Sequence, residues 1–181
     1  MNRSKMSLQL VAAGFFPPKG TSLEWKSDFN WQPIPYTYEK LFEDTLLLVT
    51  KSCLRFHEEL ERVVSEDIKE ELGKYSEMFE ELSRNSGWQI KSHFHIQHLF
   101  GIFKCQQELG MEIPDWAKKY FPSAMQDLME KGFIFNSYNP QLKKLKGGFF
   151  VKKAIEDWEK KVEQKLNTKI FLYSAHDMSG D

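Results

Sequence analysis

The residues best placed to do chemistry sit near the carboxyl end of this 181-residue chain. His176-Asp177 follows almost directly on Ile170-Phe171-Leu172-Tyr173, a continuous apolar run that reads as a strand buried on both faces. In open α/β sheets, ligands bind beyond the carboxyl ends of strands. An imidazole there can hydrogen-bond an anionic oxygen, and a carboxylic acid can protonate a leaving group. Taken alone, the dipeptide is weak evidence and reads better as a polar strand end. A second cluster, His93-Phe94-His95-Ile96-Gln97-His98, has the look of a metal site, with His95 and His98 sharing a helix face. Zinc needs three or four ligands and a supporting shell. No carboxylate or thiol stands at helical spacing beside these histidines, so exposed polar positions near a helix start explain them better, and no metal is expected. Cys53 and Cys105 make no disulfide framework by themselves. They could pair with each other, stay reduced, or belong with partners elsewhere.

These groups need elements to position them. Arg3 to Gly14 reads as a helix ended by glycine, with apolar residues at 6, 10, 11 and 13. Trp31 to Tyr36 alternates but carries Pro33 and Pro35, which confine it to a sheet edge or an extended segment. Thr45-Leu46-Leu47-Leu48-Val49 reads as another buried strand. About 100 helical residues follow. Apolar stripes run through Phe56, Leu60, Val63 and Val64, then through Ile68, Leu72, Tyr75, Phe79 and Leu82, with Ser65 as a cap for the second. Further stripes comprise Ile96, Leu99, Phe100 and Phe103, then Met125, Leu128, Met129 and Phe133 behind Pro122. The last contains Val151, Ile155, Trp158, Val162 and Leu166, and Gly147-Gly148 should break it or allow close packing.

Composition narrows the function classes. Hydrophobic residues are 41%, aromatic residues 14% and charged residues 28%, the balance of a packed globular domain. The net charge of −1 argues against a nucleic-acid binder working through a general basic field. Charge is nonetheless uneven: His57–Glu81 carries a local −7 and Lys143–Lys169 a local +5, both read as solvated helix faces. No run of 18 apolar residues exists, so no membrane-spanning helix is expected, and the polar Met1–Lys5 start is not that of a signal peptide.

Ile170–Asp177, IFLYSAHD, resembles the strand and His-Asp motif of the histidine acid phosphatases. Asn2-Arg3-Ser4-Lys5-Met6-Ser7 is similar to that family's Asp-Arg-Thr segment, and Met6–Pro18 continues it. Further anchors fall in the family's order: Asn30–Pro35, Leu46-Leu47-Leu48, Cys53-Leu54-Arg55-Phe56, Leu99–Ile102, Pro114–Ala117 and Gly147-Gly148. The likeness covers essentially the whole chain, within the animal secreted and lysosomal branch and especially toward insect venom acid phosphatases.

The resemblance implies an α/β fold: part of a sheet domain (residues 1–50 and 146–181) with an inserted, mostly helical domain (51–145), incomplete at both ends. It implies hydrolysis of phosphate monoesters through a phosphohistidine, with no cofactor and no metal. Arg3 matches an arginine that grips phosphate, His176 a phosphate-contacting histidine and Asp177 the leaving-group acid. A glycan on the sequon at Asn2 would block that arginine, so the sequon is discounted. The family's nucleophile lies in an Arg-His-Gly motif, and none occurs here; the histidines are 57, 93, 95, 98 and 176. Asn2 replaces the acid that precedes the arginine, and Met178-Ser179 replaces a pair of small hydroxyl residues. The expectation is therefore a fragment of an acid phosphatase, inactive alone, with a non-catalytic remnant or a helical interaction module as the competing reading. Cys53 and Cys105 resemble half-cystines whose partners lie beyond the His-Asp motif. The family's address is extracellular or lysosomal, and the likeness allows a homodimer of the longer parent.

Overall fold

The computed structural model describes residues 2–40 and 42–176. The chain folds as two compact units, Leu54–Lys144 and a second made of Met1–Cys53 with Leu145–Asp181.

The Leu54–Lys144 unit is helical throughout, and its apolar periodicity explains why. The first apolar stripe drives α3 (Leu54–Arg62), with Phe56 and Leu60 buried, and continues into a one-turn π-helical segment, Val63–Asp67, where Val63 is fully buried. Ser65 does not cap a helix there; its hydroxyl donates to the Arg62 carbonyl at 3.1 Å. Arg62 instead fastens this turn, reaching Glu59, Glu66 and Asp67. The expected long second helix is two short ones, α4 (Lys69–Gly73) and α5 (Ser76–Ser86), with Met78 and Leu82 as the buried pair of α5. In the numbering of the chain, α2 is the single turn Val49–Ser52.

The strongest packing is between α6 (His93–Glu108) and α8 (Ser123–Phe135). Ile96, Leu99, Phe100 and Phe103 face inward from α6; Met125, Leu128, Gly132 and Phe135 do so from α8. The short α7 (Asp115–Lys118) follows Pro114, which presets its entry, and buries Ala117. Phe103 stacks edge-on against Trp116 and Phe121, closing this core. A polar seam runs along the outside: Lys131 bridges Glu71 and Asp127 while Lys119 bridges Glu77 and Glu81.

The other unit corrects the expected architecture. No strand forms among the described residues, so the fold is helical with long irregular segments, not α/β with a sheet domain. The physical reason is local. Asp44 Oδ1 accepts the N–H groups of Leu46 and Leu47 at 3.0 and 2.7 Å, which bends the run expected to be extended, and Val49 then enters α2. Ile170–Tyr173 has no neighbouring ladder to pair with and is 37–52% exposed, whereas a strand buried on both faces must be covered and paired.

The helix α1 (Asn2–Phe15) forms as its periodicity predicts, but its packed residue is Ala12, and Met6, Leu10 and Phe15 face outward. Gln32 Nε2 closes its far end by donating to the Phe16 carbonyl at 3.0 Å. The helix α9 (Pro140–Val162) runs through Gly147-Gly148 without a break, and a β-carbon at Gly147 would touch nothing. Its expected core stripe lies outside: Trp158 is 72% and Val162 82% exposed. In its carboxyl half the buried residue is Asp157, held by Lys153 and approached by the Tyr173 hydroxyl. A buried carboxylate needs such partners, and meeting that need turns the helix the other way.

Candidate functional site

The site candidates lie in the unit that contains α1. Arg3 stands in the first turn of α1, and Ser7 follows one turn later on the same side. That first turn holds no acidic residue, and a helix amino end offers unsatisfied N–H groups that favour an anion. The segment after Tyr173 is brought against this turn by one specific bond: Ser174 Oγ donates to the Ser4 carbonyl at 2.8 Å. Two residues on, His176 reaches the same place. Arg3, Ser4, Ser7, Ala175 and His176 together line a hollow of about 360 Å³.

Arg3 and His176 are therefore brought to one hollow from opposite ends of the sequence. Arg3 is exposed and His176 half-buried. No carboxylate among the described residues pairs with the Arg3 guanidinium, a group whose five donors suit an anion. Asp177 lies outside the described residues. Ser4 and Ser7 are additions that sequence reading passed over. The signal for Ser7 was its i+4 spacing from Arg3 on a helix.

A larger hollow, about 690 Å³, shares Ser4, Ala175 and His176 with the first and extends along Leu8, Tyr36 and Leu172. Lys5 Nζ sits 3.2 Å from the centre of the Tyr38 ring on its wall, a cation–π contact that holds that lysine to one side.

The other candidates take their own places. Among the described residues no group of three or more His, Cys, Asp or Glu side chains could hold a metal ion. His95 Nδ1 is engaged by Ser92 Oγ at 3.0 Å, and His98 Nδ1 by the Phe94 carbonyl at 2.7 Å, with Trp88 edge-on to both rings. His93, expected to be exposed, is 99% buried behind α8, because it begins α6 on the side that packs against Gly132. Cys53 and Cys105 are free thiols, half-buried and exposed respectively. No helix among the described residues is long and apolar enough to cross a membrane.

Comparison with known proteins gives this hollow its context. No family model matches the chain. Curated relatives do, along nearly its whole length. It is 34% identical over 182 residues to the venom acid phosphatase Acph-1 of Apis mellifera, covering 97% of this chain and 46% of that protein. It is 30% identical over 189 residues to human prostatic acid phosphatase, covering 98% of this chain and 47% of the relative. Human lysosomal acid phosphatase is 24% identical over 184 residues, covering 97% and 43%. The chain thus spans about half the length of the curated relatives it matches. Its homologues are venom, prostatic and lysosomal acid phosphatases, and it is to the histidine acid phosphatase family that this chain is related.

Proposed function

We propose that the hollow between the start of α1 and the segment Ser174–His176 is the phosphate-holding part of an acid phosphatase site. The observation that carries this reading is that Arg3 and His176, separated by nearly the whole sequence, line one hollow. The Arg3 guanidinium grips two oxygens of a phosphate monoester, and the amino end of α1 adds favourable N–H groups. His176 hydrogen-bonds a third oxygen. The positive charges offset the charge that the transferring phosphoryl group presents, which is the largest contribution a protein makes to such a transfer. Asp177, next in the chain, protonates the ester oxygen as the phosphorus–oxygen bond breaks, so the alcohol departs neutral.

The phosphoryl group must pass to a nucleophile. In the family reading this is a histidine nitrogen, which forms a phosphohistidine that water then hydrolyses to inorganic phosphate. That histidine belongs to an Arg-His-Gly motif, and this sequence contains none. His57, His93, His95 and His98 all lie in the Leu54–Lys144 unit rather than in the unit that holds Arg3 and His176. The 181-residue chain therefore binds phosphate but does not turn over by itself. Its substrates are phosphate monoesters met outside the cell or in the lysosome. The names of its homologues and the match of Arg3, His176 and Asp177 to the family's motifs support this reading.

The test is hydrolysis of p-nitrophenyl phosphate near pH 5 by the purified chain and its Asp177→Asn variant. Both should be inactive. Robust turnover that Asp177→Asn abolishes would show that another residue serves as nucleophile, and the division of labour proposed above would fail.

A further inference from the structure

His93 is unusual in this molecule. It is the first residue of α6 and is 99% buried. Neither ring nitrogen has a hydrogen-bond partner, and the equally buried Asn136 beside it has both amide atoms unpartnered. The ring lies 4.2 Å from Phe94 and 5.5 Å from Phe135, centre to centre, and a β-carbon placed on Gly132 would stand 3.0 Å from its Cδ2. It is thus a plug seated in the backbone of α8 at the one position where a glycine admits it.

The plug matters because it and the buried Ile96 are the two side chains that anchor the first turn of α6 in the core. Ser92, the capping position, makes no side-chain bond to a helix amide; its hydroxyl meets the His95 ring at Nδ1, 3.0 Å away. The first turn is closed by the amides of His95 and Ile96 on the Ser92 carbonyl, at 3.1 and 3.4 Å. We propose that His93 is an acid-released clasp, whose neutral ring locks the first turn of α6 onto α8 and whose protonation lets that turn detach.

Protonation is opposed twice. Burial places the cation among phenyl rings with no charged acceptor at either nitrogen, and the amino end of a helix already carries a partial positive charge. Burial pushes the ring down to about 4, against the opposing pull of the Asn136 side chain. Among the described residues, burial and the Asn136 side chain are the influences on it. On α8, Asp127 and Lys131 are occupied by Tyr75 and Glu71, and Glu130 by Gln126. On α6, His95 and His98 are engaged as described, and Lys104 faces Gln107 and Glu108.

The direction follows from linkage. Once the turn detaches, His93 titrates near its ordinary 6.5. Between about 6.5 and 4 the open form binds more protons than the closed form, so the clasp weakens as pH falls through that window. Those two values give about a 30-fold loss in the closing equilibrium from pH 7.5 to pH 5, and about 300-fold by pH 3.

Amide hydrogen exchange of the full chain tests this. After correction for intrinsic rates, protection at His95 and Ile96 should fall about 30-fold between pH 7.5 and pH 5. In His93→Phe it should stay level, and in His95→Gln it should still fall. Ring resonances of wild-type His93 supply a readout independent of any variant, with a titration midpoint near 4. A midpoint near 6.5, an unchanged pH response in His93→Phe, or its loss in His95→Gln would overturn the proposal.

Discussion

Gly132→Ala pits two effects of opposite sign against each other. Alanine is favoured over glycine inside a helix by about 1 kcal/mol, and Gly132 lies well inside α8. The added methyl, however, would stand 3.0 Å from His93 Cδ2 and 3.6 Å from Cγ. The ring cannot retreat, because Phe94 and Phe135 flank it and the residue is 99% buried. Overpacking a tight core costs about 1–3 kcal/mol, so the clash should win and leave a net destabilisation of about 1 kcal/mol. For a chain of this size that is a fall of about 2–4 °C in Tm. Urea unfolding followed by circular dichroism measures it. In a His93→Ala background the obstacle is gone, and the same substitution should stabilise by up to about 1 kcal/mol. The two effects of Gly132→Ala then differ by about 2 kcal/mol, well above the error of a double-mutant cycle. Stabilisation by Gly132→Ala in the wild-type background would refute the packing argument.

Other substitutions test other elements. Leu128→Ala removes a fully buried side chain from the α6–α8 core and should cost about 2–5 kcal/mol by chemical unfolding. Trp158→Gln tests the orientation of α9: with the ring 72% exposed, the change should stay within about 0.5 kcal/mol, whereas a core tryptophan would cost several. Asp157→Ala, by contrast, strips the buried partner of Lys153 and should destabilise by about 1–3 kcal/mol. Lys131 holds Glu71, and Tyr75 with Lys131 holds Asp127, below the usual carboxylate range, so that seam contributes above their unfolded values and is lost as pH falls through them. Lys131→Met should therefore matter less at low pH and in 1 M salt, read from unfolding midpoints.

Helices that bury one face were legible from period alone. The stripes Phe56–Val63 and Ile96–Phe103 sit inside where the spacing puts them, because for those helices apolar burial is the only large force at work. Reading failed where a polar group set the geometry. In the carboxyl half of α9 the apolar residues Ile155, Trp158 and Val162 outnumber Asp157, yet they are exposed while the carboxylate, with its lysine partner, is buried. At Leu46–Leu48 the run has strand composition, but Asp44 takes the N–H groups a ladder would use. For Ile170–Tyr173 hydrophobicity indicates a need for cover, and composition cannot say whether cover is present. His93 was misjudged for a related reason: its environment is made by Gly132, thirty-nine positions away, which no local spacing reveals. Of the residues that line the smaller hollow, Arg3 and His176 could be named from their motif context, while Ser7 needed the helix, and the bond between Ser174 and Ser4 needed the fold.

The central claim is that Arg3 and His176 hold a phosphate oxyanion together. Titrating the purified chain with inorganic phosphate and following it by calorimetry, beside Arg3→Met and His176→Ala, tests it most directly. Phosphate should bind at one site, and each variant should weaken it by about tenfold or more, the worth of a charge-assisted hydrogen bond. Ser7→Ala, at the same hollow, should weaken it less. Binding that neither Arg3→Met nor His176→Ala alters, or no binding by the wild-type chain, would contradict the account.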